Sequence, residues 1–139
     1  MSFRKLASIV ALALSASVPS LAVAAPTART PCLLSEYQVT SVSPYLQEDH
    51  IGKASFPRVH GASIYVAAEP GLTAEWLKLL IERHLAQMRN GEMPDCALDI
   101  DNVRVDVDSA GNGFAVRLIS SNPKDAAEIL NRARLLVAK

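Results

Sequence analysis

The spacing of apolar and polar residues predicts a strand followed by a helix in the middle of the chain. Residues 62–68, ASIYVAA, place apolar side chains such as Ile64 and Val66 at every second position, which is the period of a strand. The turn-forming sequence EPG ends this strand. Apolar residues then recur every three or four positions between Thr73, the predicted N-cap, and Gly91, the predicted stop. The stripe expected to face the core consists of Leu77, Leu80, Ile81, Leu85 and Met88.

A hairpin and a second helix are predicted downstream. The sequence ALDIDNVRVDVD alternates, but its phase changes near Asp101 and Asn102, so a bulge or a tight turn is expected there. SAGNG supplies the loop of the hairpin, and GFAVRLIS supplies the returning strand. Asn122 and Pro123 then start a helix as its cap and first residue. The apolar stripe of this helix consists of Ala126, Ile129, Leu130, Ala133, Leu136 and Val137.

These elements predict an α+β fold. Residues 61–139 have the order β-α-β-β-α, which most economically forms an antiparallel sheet with two helices packed on one face. Residues 25–60 are harder to interpret, but EYQVTSVSPYLQE is rich in strand-forming residues and predicts an additional N-terminal edge strand. We expect residues 25–139 to form a single domain, because their number suffices to bury one core.

The first 24 residues have the pattern of a cleaved signal peptide. Arg4 and Lys5 precede the apolar run LASIVALAL, and AVA at positions 22–24 is the small-x-small sequence that a signal peptidase requires. The apolar run is shorter than the roughly 20 residues that a membrane-spanning helix needs. The sequence therefore predicts an exported protein, periplasmic or secreted, without a transmembrane segment.

Charge and motifs narrow the class of function. Without Arg4 and Lys5, the 14 Lys and Arg become 12, against 14 Asp and Glu. This slightly acidic balance disfavours nucleic acid as a partner, because phosphate backbones attract clustered basic residues. A glycine-rich phosphate loop, HExxH and GxSxG are all missing from the sequence. We therefore interpret the chain as a non-enzymatic binding protein.

The two cysteines, Cys32 and Cys96, predict a disulfide bond, because an even number of cysteines in an exported protein is ordinarily paired. The alternative is two separate thiolates that serve metal or redox chemistry. Their spacing resembles neither CxxC nor a paired zinc knuckle. If the disulfide forms, Cys96 cannot bind a metal as a thiolate.

The segment IERHLAQMRNGEMPDC, residues 81–96, suggests a soft-metal site. His84 and Met88 are four residues apart, so they lie on the same face of the predicted helix and point toward the sheet. Imidazole and thioether are ligands that Cu(I) accepts. Our first hypothesis is a copper-binding protein that uses His84 and Met88, with His60 and Met93 as further ligands. The alternative is ordinary core packing, in which methionine fills space and histidine donates to a backbone carbonyl.

The second hypothesis is an envelope interaction or ligand-binding module, which would recognise a protein or a small ligand. If Val105 faces the helices, Arg104 and Asp106 point outward, together with Arg117 on the other strand of the hairpin. This outer sheet face mixes charge with apolar surface. A sheet surface that is merely solvated has the same composition, so the pattern alone does not separate docking from solvation.

Overall fold

The computed structural model describes residues 31–88 and 95–138, which form an antiparallel sheet with two helices on one of its faces. The strand order in the sheet is β1-β2-β4-β3. The strands are β1 (Val39–Ile51), β2 (Ala54–Ala67), β3 (Arg104–Ala110) and β4 (Gly113–Ile119). The helices are α1 (Ala74–Gln87), which packs against β3, and α2 (Pro123–Arg134), which packs against β2. The predicted α+β fold and its N-terminal edge strand are confirmed, while the predicted signal peptide, residues 1–24, lies outside the described residues.

Both helices begin where the sequence predicts. The Oγ1 atom of Thr73 accepts a hydrogen bond from the backbone N–H of Trp76 at 3.2 Å, and the Oδ1 atom of Asn122 accepts one from Lys124 at 3.0 Å. The prediction that Val137 belongs to the core-facing stripe of α2 is wrong. Because α2 ends at Arg134, Val137 lies on a turn after the helix and is 44% exposed.

The expected irregularity before β3 is a tight turn. Asn102 has a φ of +57°, in the left-handed region that asparagine tolerates better than most residues. The strand starts only at Arg104, so Leu98 and Ile100 belong to the loop rather than to an alternating strand. Leu98 is nevertheless 1% exposed, because this loop packs into the core.

The hairpin of β1 and β2 is longer than the sequence pattern suggested. β2 starts at Ala54, well before residue 62, and Tyr45 pairs with Gly61 while Leu46 pairs with Val59. His60 is therefore the extra residue of a β-bulge. β4 pairs only with residues 61–67 of β2. Residues 54–60 of β2 pair with β1 alone, so the hairpin continues past the end of β4 as a two-stranded ribbon.

A disulfide bond connects the irregular segments before β1 and after α1. The Cα atoms of Cys32 and Cys96 are 5.3 Å apart, and the predicted pairing is confirmed. A short 3-10 helix, Leu33–Glu36, follows the first cysteine, and its Leu34 is fully buried. On the other side, Arg132 of α2 donates hydrogen bonds to the carbonyl oxygens of Cys96, at 3.2 Å, and Asp99, at 3.0 Å. The disulfide segments are thereby fixed to the helix layer.

We predict that Arg132 stabilises the fold through these two carbonyl contacts. The Arg132→Met substitution keeps most of the aliphatic stem but leaves both carbonyl oxygens without this donor. It also removes the ion pair between Nε of Arg132 and Oε1 of Glu128, which are 2.7 Å apart. Together these losses should lower the free energy of unfolding by about 1–3 kcal/mol, mostly through the carbonyl oxygens because the ion pair is partly exposed to solvent. Arg134→Met is the matched control, because Arg134 is exposed in the same turn of α2. Urea unfolding followed by circular dichroism measures both variants. Equal losses in the two variants would contradict the assigned role of Arg132.

Candidate functional site

His84 and Met88 are both buried at the end of α1. His84 is 8% exposed and Met88, the C-cap residue of the helix, is 6% exposed. They continue the buried face that Leu77 and Ile81 begin, at the helical spacing the sequence indicated. The histidine and the methionine therefore stand one turn apart on the side of α1 that faces the core.

The imidazole of His84 lacks a hydrogen-bond partner at one nitrogen. The Nε2 atom is buried and makes no hydrogen bond with any of the described residues. A buried polar atom left in this state costs about 1–3 kcal/mol. Burial lowers the pKa of His84 below its ordinary value of 6.5, and the negative charge of Glu36 opposes this only in part. At neutral pH the ring is therefore neutral, and the tautomer protonated on Nδ1 has a free lone pair on Nε2.

A cleft of about 840 Å³ lies between α1 and α2, and Met88 is part of its wall. Arg132 is the basic residue in this wall, and the loop that contains Asn102 forms one side. Five carboxylates from three separate segments of the chain also line the cleft: Glu82, Asp99, Asp101, Asp125 and Glu128. We call this the acidic cleft. Sequence reasoning missed it because no local pattern connects α1, the loop and α2.

His60 contacts Asp49 rather than His84 or Met88. Its Nε2 atom is 2.8 Å from Oδ1 of Asp49, whose Oδ2 atom is 3.0 Å from Nη1 of Arg58. Val59 packs against the core, so its neighbour Arg58 points to the opposite, helix-free face of the sheet. His60 therefore contacts the Asp49–Arg58 pair on that face and is not brought to His84.

The structure brings together two of the four predicted metal ligands. Met93 lies outside the described residues, and both cysteines are in the disulfide, so neither is a free thiolate. Within residues 31–88 and 95–138, no three His, Cys, Asp or Glu side chains converge on a point where they could hold a metal ion. The candidate site in the described part of the chain is the pair of His84 and Met88.

The outer sheet face predicted for docking is present, but its charges are paired within the chain. Arg104 and Asp106 are 3.3 Å apart, and Arg117 forms an ion pair with Asp108 across the hairpin. The apolar Ile119 on the same face is only 7% exposed. Tyr65, which pairs with Ala115 on this face, is 36% exposed. This face therefore presents solvated ion pairs beside one partly exposed tyrosine.

Comparison with known proteins adds no functional assignment. No protein-family model, curated protein or solved structure matches this chain. None of the helices in the described part of the chain is long and apolar enough to cross a membrane. The disulfide is typical of proteins that fold in an oxidising compartment.

We predict that His84 makes the fold sensitive to acid. Because burial lowers the pKa of His84 in the folded state, the unfolded chain binds this proton more tightly, and the free energy of unfolding falls as the pH drops below about 7. His84→Leu should remove this contribution, so the free energy of unfolding should fall less between about pH 7 and pH 5 than in the unaltered protein. His50→Leu, at an exposed histidine, should follow the unaltered protein. Urea midpoints across this range test the prediction, which fails if His84→Leu keeps the original pH dependence.

Proposed function

We propose that this protein is a small exported, non-enzymatic binding protein that holds a soft metal ion, Cu(I), with His84 and Met88. One observation supports this proposal above all others. The Nε2 atom of His84 is buried without a hydrogen-bond partner among residues 31–88 and 95–138, one helical turn from a buried methionine. A bond from this nitrogen to a metal ion would replace the missing hydrogen bond.

The chemistry of the two side chains favours copper. Thioether sulfur is a soft ligand that selects Cu(I), and neutral imidazole binds copper readily, whereas Ca²⁺ and Mg²⁺ prefer oxygen ligands. The lowered pKa of His84 keeps the imidazole in the neutral, ligating form at neutral pH. Burial of both side chains also limits access of water to the ligand atoms.

The acidic cleft is a second observation that supports the proposal. A concave surface lined with carboxylates raises the local concentration of cations. Met88 forms part of the wall of this cleft, so a cation drawn into it would arrive beside the thioether sulfur. The carboxylates would attract cations of many kinds, and the soft ligands would then select among them.

Export of the protein is compatible with a copper site made of imidazole and thioether. The N-terminal pattern predicts a signal peptide, and the disulfide suits an oxidising compartment. In such a compartment thiols are consumed in disulfides, so imidazole and thioether are the soft ligands that remain available. A copper site built without cysteine is what this location favours.

We predict that the protein with its disulfide intact binds one Cu(I) ion per chain. His84→Leu should abolish binding, because it removes the nitrogen ligand and puts an apolar side chain of similar size in its place. Met88→Leu should weaken binding with little effect on stability, because the two side chains fill nearly the same volume. Competition with a chromophoric Cu(I) chelator, under anaerobic conditions and with a reductant that spares disulfides, measures both affinities.

Two histidine variants serve as controls for this experiment. His50→Leu and His60→Leu should bind Cu(I) like the unaltered protein, because the described structure places neither residue near the pair. Met93→Leu examines the remaining ligand that the sequence predicts. If the unaltered protein binds no Cu(I), the metal hypothesis is wrong; if binding survives both His84→Leu and Met88→Leu, the ligands are other residues.

We further predict that the acidic cleft speeds the capture of the metal ion. Glu82→Gln combined with Asp101→Asn removes two exposed charges from the cleft and should slow Cu(I) uptake at low salt, with the difference shrinking as salt screens the field. Glu69→Gln combined with Glu75→Gln removes the same charge elsewhere and is the matched control. Stopped-flow transfer from a chelator measures the rates, and equal rates in the two double variants would exclude the cleft as the route.

A further inference from the structure

We draw no further inference here: the strongest candidate, the surface formed by the outer edge of β3 and the exposed Trp76 of α1, carries nothing, because no feature of the described residues shows what covers it.

Discussion

The disulfide between Cys32 and Cys96 is the constraint on which the helix layer depends. It joins two segments that have little regular backbone hydrogen bonding of their own, yet they bury Leu34 and Leu98 almost completely. Closing a loop with a sequence separation of 64 residues stabilises the fold by about 4 kcal/mol in the chain-entropy model. Arg132 adds a second connection through two carbonyl oxygens. In this part of the core, the disulfide thus holds in place segments that no helix or strand pairing fixes.

The same constraint shapes the candidate metal site. α1 and α2 pack on the sheet rather than on each other, and the loop that follows Cys96 forms one wall of the acidic cleft between them. Met88 borders that cleft, while the charge of Glu36, from the segment after Cys32, acts on His84. Carboxylates therefore occupy the cleft, and the imidazole and thioether are buried beside it. In the proposed metal site, the carboxylates would attract cations, and the imidazole and thioether would select among them.

Local patterns predicted the parts of the fold that depend on local interactions. The caps Thr73 and Asn122 satisfy backbone groups within their own first turn, so their sequence is sufficient to identify them. The helical period of the sequence was sufficient to predict the burial of His84. The sequence pattern did not predict the length of β2, because residues 54–60 alternate only weakly and form a strand by pairing with β1. Three features depend on tertiary contacts: the acidic cleft, the position of His60, and the lack of a hydrogen-bond partner for Nε2 of His84 within the part of the chain that the structure describes. His60 is itself the extra residue of a β-bulge, which the sequence pattern did not reveal.

α1 contributes to the candidate site with two of its sides. Its buried face contains His84, and the flank toward α2 lines the acidic cleft. Met88, the C-cap residue, belongs to both sides, because it is buried and is also part of the cleft wall. A cation drawn into the cleft would therefore meet the thioether of Met88 at the point where the cleft borders the buried face.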